Sequence, residues 1–198
     1  MAKNHSIFTE TLIQSRRNFL ARAGAATFSA TGVALLAGCS SKSALAASMG
    51  NSNEMQQDIR ILNTAIAAEH EAVAAYQLGA ESGLLVPAVL KVAVKFQGHH
   101  KKHIDALQAA VKQLGGQAAE AKSKYNFPLE KLKQQQDVLQ FAAGLERGAV
   151  SAYAGAIPVF ADRTLSAAAA SILADEAMHW AVLRNALNLD PVPGAFFS

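Results

Sequence analysis

"AAEHEAVAAY" spans Ala67–Tyr76, and "GLERGAVSAY" spans Gly144–Tyr153. Each stretch reads as an amphipathic helix rich in small residues. Each also places a carboxylate, Glu69 or Glu146, where the apolar face should continue. Seven residues after each Glu stands a Tyr, Tyr76 and Tyr153. Outward from the first pair, Met55, Ile59, Leu62, Ile66, Glu69, Val73, Tyr76 and Ala80 recur at steps of four and three, which is one continuous helix face.

Three more stripes of this kind follow. The second runs Val89, Val92, Phe96, His100, His103, Leu107, Ala110, Leu114. Pro87 is placed for its start and Gly115-Gly116 for its end. The third is Leu139, Ala142, Glu146, Ala149 or Val150, Tyr153 and Ile157, interrupted at Pro158. The fourth is Leu165, Ala169, Ile172, Glu176, His179, Leu183 and Ala186, ending before "DPVPGAFF". No stretch alternates convincingly as a strand would. The expected fold is all-α: a four-helix bundle over residues 54–189, with 190–198 as a C-terminal tail. Short links within each pair predict two antiparallel hairpins. A helix of ~27 residues is about 40 Å long, and the irregular segment 115–133 can span that distance at ~3.3 Å per residue. The hairpins are therefore joined by a long crossover.

The two halves read as repeats. Beyond the matching Glu and Tyr, "HHKKHIDAL" (His99–Leu107) lies over "DEAMHWAVL" (Asp175–Leu183), with His103 on His179. The Glu-to-His separation is 34 residues in the first half and 33 in the second.

Six ionisable residues lie on these apolar stripes: Glu69, His100, His103, Glu146, Glu176 and His179. The His100/His103 and Glu176/His179 pairs are spaced i, i+3, so both members of each face the same way. Buried carboxylates must be paired, protonated or bound to a cation. No Lys or Arg shares the stripes, so one or two divalent ions would resolve the cost. Carboxylate oxygen with imidazole nitrogen suits iron, manganese or zinc. Tyr76 and Tyr153 are expected in the core, their hydroxyls reaching the polar centre. His70, Glu71, His99, Lys101 and Lys102 fall off the stripes and are expected to face solvent, and Trp180 is expected to pack.

One Glu from each of two helices, with Glu-x-x-His from each of the others, resembles the ferritin-like di-metal carboxylate pattern over about 54–189. The likeness is to exported bacterial ferritin-like domain proteins. It implies a ferritin-like bundle with Glu69 and Glu146 as the single-Glu ligands and "EAMH", Glu176 and His179, as the full motif. In the second helix, "HKKH" puts His100 where the family has a Glu. That Glu would bridge two metals, and one imidazole nitrogen cannot replace two carboxylate oxygens. One tight and one weak ion suit a set of three Glu and three His. The activity implied is ferroxidase or peroxide- or oxygen-reactive chemistry. The alternative is a non-enzymatic envelope lipoprotein for metal sequestration, stress protection or partner binding, its metal site degenerate.

The N-terminus carries separate information. Ser15-Arg16-Arg17-Asn18-Phe19-Leu20 precedes a small-residue apolar run, Ala23–Ala37, laid out as an export signal. Arg16-Arg17 with Phe-Leu resembles the twin-arginine type, and the run is too short for a permanent spanning helix. "LAGC", Leu36–Cys39, resembles a lipobox and implies lipidation of Cys39. Cleavage near Ala44–Ser48 is the rival processing site. Residues 1–38 thus read as a signal peptide and 39–53, rich in Ser, Ala and Asn, as a flexible tether. The location expected is the periplasmic side of the envelope, anchored to a membrane. Of the 18 Lys and Arg and 15 Asp and Glu, residues 1–38 hold four and one, so the rest is balanced. A nucleic-acid partner is not supported by that balance. Cys39 is the only cysteine, which excludes disulfides within the body and CxxC sites. A homodimer is compatible with the sequence.

Overall fold

A computed structural model of the chain describes residues 41–197, with side chains from residue 52 onward. Arg16, Arg17, the apolar run and Cys39 lie outside the described residues. Four helices make up the body: α1 Ser41–Glu81, α2 Pro87–Gln113, α3 Gln135–Ala156 and α4 Arg163–Ala186. Short 3-10 turns occupy Leu129–Lys131 and Ile157–Val159, and no strand occurs among the described residues. α1 pairs with α2, α3 pairs with α4, and residues 114–134 cross between the hairpins. No described helix is long and apolar enough to cross a membrane.

One expectation needs correction. Residues 41–53, read as a flexible tether, continue α1 toward its N-terminus. "SKSALAASMGNSN" contains no proline, and Ala, Leu, Lys and Met are good helix formers. Extending an existing helix by one residue is far easier than nucleating a new one, so the register of α1 runs back through this segment.

Local chemistry sets the helix ends. Pro87 opens α2, where its missing N–H costs nothing. Gly115 closes α2 in the left-handed region at φ 72°, and Gly116 N–H donates back to Val111 O at 2.9 Å. Gly115 needs glycine for its left-handed backbone, and a Cβ on Gly116 would lie 3.1 Å from Ile59 and Val111 side-chain atoms, which would have to shift. Asp162 caps α4 by accepting from Thr164 N–H at 2.6 Å. Two polar side chains of α1 fasten the connections: buried Asp58 accepts from the Ala161 and Asp162 amides at 2.9 and 3.0 Å, and Asn63 bonds both Gln117 O and Ala119 N.

The buried faces follow the predicted stripes and divide into three levels. At one end Ile59, Leu62, Ile66, Leu107, Val111 and Ile172 form an apolar cluster. Toward the other end Tyr76, Phe96, Leu139, Ala143 and Leu183 form a second. Between them lies a polar level of Glu69, His100, Glu146, Glu176 and His179, each at most 3% exposed. Apolar burial above and below holds these groups out of water.

Candidate metal centre

Each helix delivers its ligand-type residues to this level because the stripe that carries them is the buried one. The two hairpins are joined by reciprocal bonds. Tyr153 Oη of α3 donates to Glu69 Oε1 of α1 at 2.6 Å, and Tyr76 Oη of α1 donates to Glu146 Oε1 of α3. The Glu and Tyr of each repeat therefore exchange partners across the bundle. His100 adds a third tie: its Nδ1 lies 2.8 Å from Glu69 Oε2 and its Nε2 3.3 Å from Glu146 Oε1.

All six expected residues meet. Donor atoms of Glu69, His100, His103 and Glu176 lie within 4.8 Å of one another, as do those of His100, Glu146, Glu176 and His179. Glu176 and His100 belong to both groups. His100 thus stands where a shared ligand should be, and it faces the two sides with different nitrogens. As an imidazolium it can donate to both carboxylates, Glu69 through Nδ1 and Glu146 through Nε2.

The arrangement passes a direct test of fit for a cation. Glu176 is fully buried, yet neither of its oxygens has a hydrogen-bond partner. Glu146 Oε2, His103 Nδ1 and His179 Nδ1 are likewise without one. His103 Nδ1 approaches Glu176 Oε1 to 3.0 Å and His179 Nδ1 approaches Glu176 Oε2 to 3.4 Å without hydrogen-bond geometry. Lone pairs that converge without bonding one another are what a metal ion requires, and unmet groups at this depth are costly otherwise.

In the metal-free centre, protons do part of this work. Burial pushes the Glu69 carboxyl up, but bonds from His100 and Tyr153, with His103 close by, more than reverse it, down to about 2. Burial opposes charge on His100, yet Glu146 and Glu69 raise it to about 10. His103 rises against its own burial to about 9 through Glu176 and Glu69, and His179 is raised by Glu146 and Glu176. Glu146 is lowered against its burial by His100 and His179. Glu176 goes the other way, raised by burial and by the neighbouring Glu146. Burial and the adjacent carboxylates raise both tyrosines, which therefore stay protonated donors.

The sequence reading missed the outer edge of the site. His99, expected in solvent, is half-buried, with Nδ1 2.9 Å from both Asp175 Oδ2 and His179 Nε2. Asp175 Oδ2 also lies 3.3 Å from His103 Nε2 and from His179 Nε2. His103 and His179 thus turn Nδ1 inward and Nε2 toward one carboxylate, a contact that can orient both rings. The signal was present: His99 lies three residues from Phe96 and four from His103, and Asp175 four from His179. A single stripe per helix hid it. His70 and Glu71 are also half-buried rather than exposed, because α1 is covered by α2 on one flank and by α3 on the other.

A cavity of about 470 Å³ between α1 and α3 reaches Glu69, His100 and Glu146. Small residues such as Ala68, Ala72, Gly148 and Ala152 line it. Glu71 lines it too, a third carboxylate beside Glu69 and Glu146.

The Ferritin-like domain family matches residues 57–189, about two thirds of the chain. The chain belongs to the ferritin-like domain family. Among solved structures, this ferritin-like chain is similar to the conserved hypothetical protein rv2844 of Mycobacterium tuberculosis, with 21% identity over 72% of this chain and 99% of that one, TM-score 0.63. It is similar to a ferritin-like diiron-carboxylate protein of Bacillus anthracis, with 19% identity, 68% and 98% coverage and TM-score 0.60. A mycobacterial bacterioferritin follows at 16%, 66% and 83%, TM-score 0.57. At these identities the likeness is one of fold. No curated protein matches the sequence.

Proposed function

We propose that this ferritin-like bundle is an exported metalloprotein that binds iron or manganese in its core and reacts it with dioxygen or peroxide, or oxidises Fe(II). The observation that carries the reading is the fully buried Glu176, with two unpartnered oxygens at the junction of two overlapping ligand groups. Glu69, His103 and Glu176 would hold one ion, and Glu146, Glu176 and His179 the other, with His100 between them. Bound there, the metal would supply electron transfer and open positions for an oxidant. The chain's own contribution is positional. The apolar clusters on either side exclude water, Asp175 orients His103 and His179, and the tyrosine hydroxyls hold Glu69 and Glu146 in place. Reactants would enter between α1 and α3. The protein would work outside the cytoplasm, held at a membrane through a lipid on Cys39.

His100 favours a second reading. A protonated imidazole bonded to both Glu69 and Glu146 already neutralises charge that a second ion would otherwise meet. On that reading the bundle holds one ion for sequestration and performs no turnover.

One experiment separates these. The full chain is stripped of metal, loaded anaerobically with Fe(II), Mn(II) or Zn(II), and its bound metal counted. Wild type is expected to hold one to two ions and Glu176→Ala none. Absence of stoichiometric metal from wild type under every loading condition overturns the reading. Binding without Fe(II) oxidation or peroxide turnover leaves the sequestration form standing.

A further inference from the structure

At the end of the bundle nearest the α1–α2 turn lies a second cavity, separate from the opening between α1 and α3. It holds about 230 Å³, is open to solvent on one side, and draws its wall from all four helices. Its inner wall is Tyr76, Phe96, Leu139 and Leu183, all buried, and its mouth lies at the exposed Ala88, Val182 and Ala186. The only polar side-chain atom on its lining residues is Tyr76 Oη, and that hydroxyl is committed to Glu146. Water entering would find no other side chain to bond. Native interiors hold few voids larger than one water molecule. A chain that leaves one this size between its helices forgoes packing that Leu or Phe at Ala93 or Ala142, both on the wall, would recover.

The position of the cavity is as informative as its lining. Phe96 forms part of its inner wall and stacks on His179 with ring centroids 3.9 Å apart. Tyr76, beside it, bonds Glu146 and lies edge-on to Phe96 at 6.2 Å. A molecule in the cavity would therefore sit one aromatic layer from two ligand-type residues. We propose that this cavity is a binding site for a small, neutral, apolar molecule, no larger than a single aromatic ring. Its volume is below the ~300 Å³ where drug-sized ligand sites begin and above the ~150 Å³ of a dry protein cavity that takes benzene or xenon. Two sources share this chemistry, a dissolved gas such as dioxygen and a small hydrocarbon. The occupancy stands on the cavity alone. Its role as a store beside the metal rests on the function proposed above.

The test uses the metal-free full chain, so it is independent of whether metal binds. Xenon stands for the gas and benzene for the hydrocarbon. Xenon-pressurised crystals are expected to show density between Tyr76, Phe96, Leu139 and Leu183. Benzene at about ten times its dissociation constant is expected to raise the melting temperature by roughly 3–5 °C. Ala93→Leu and Ala142→Leu, neither itself a ligand-type residue, should abolish both effects while leaving metal content unchanged. Xenon without benzene assigns the site to a gas, and both together assign it to a hydrocarbon-sized guest. Absence of both from wild type overturns the proposal, as does binding that survives both filling variants.

Discussion

Two carboxylates of the centre differ in a way that stability measurements can expose. Glu69 is ionised and receives bonds from His100 and Tyr153, while Glu176, equally buried, receives none on either oxygen. A carboxyl drawn from 4.5 down to about 2 is favoured as the anion by about 3 kcal/mol in the fold. Because the folded value is the lower one, this stability is present above pH 4.5 and is lost as the pH falls toward 2. Glu69→Gln should therefore cost the metal-free protein about 3 kcal/mol at neutral pH, or roughly 6–12 °C for a domain of this size. At pH 3 the penalty should fall to about half or less, since protonation has by then removed most of the difference. Glu176→Gln, whose carboxyl is raised rather than lowered, should cost less than Glu69→Gln at neutral pH. Urea unfolding of the stripped full chain, followed by circular dichroism, measures both. Equal losses for the two variants, or a Glu69→Gln penalty that does not shrink in acid, would refute the reasoning. The asymmetry also separates roles: one acid holds the fold together, while the other is held in readiness for a cation.

Three further outcomes can be measured. His100 and His103 are raised to about 10 and 9, so their contribution is complete below the ordinary histidine value near 6.5 and declines as the pH climbs through 9 and 10. The melting temperature of metal-free protein should fall across that range, and bound metal, which needs neutral imidazoles, should flatten the decline. Asp175→Asn should weaken metal binding about 10–100-fold in chelator competition while helicity is unchanged, and an affinity within twofold of wild type would remove its orienting role. Full chain expressed in a bacterium with two membranes should fractionate with membranes, and Cys39→Ala should appear in the soluble fraction. Wild type found soluble would end the anchoring proposal.

What the sequence determined by itself was the pattern. Hydrophobic periodicity marked four helices, and polar residues interrupting each stripe marked the level at which they meet. Both are legible because a helix repeats every 3.6 residues and burial selects one face. The match between the two halves, Glu69 and Tyr76 against Glu146 and Tyr153, likewise needed no coordinates. Tertiary structure decided which atoms face which. Only the assembled bundle crosses the tyrosine–glutamate bonds between hairpins, turns the two nitrogens of His100 to opposite sides, and brings Asp175 onto the outer edges of His103 and His179. It also draws His99 and Asp175 inward, because each helix in a bundle is covered on two flanks while a single stripe describes one. The start of α1 was misjudged for a related reason. A Ser- and Asn-rich segment looks flexible in isolation, but propagation from a packed helix decides its conformation once the bundle has formed.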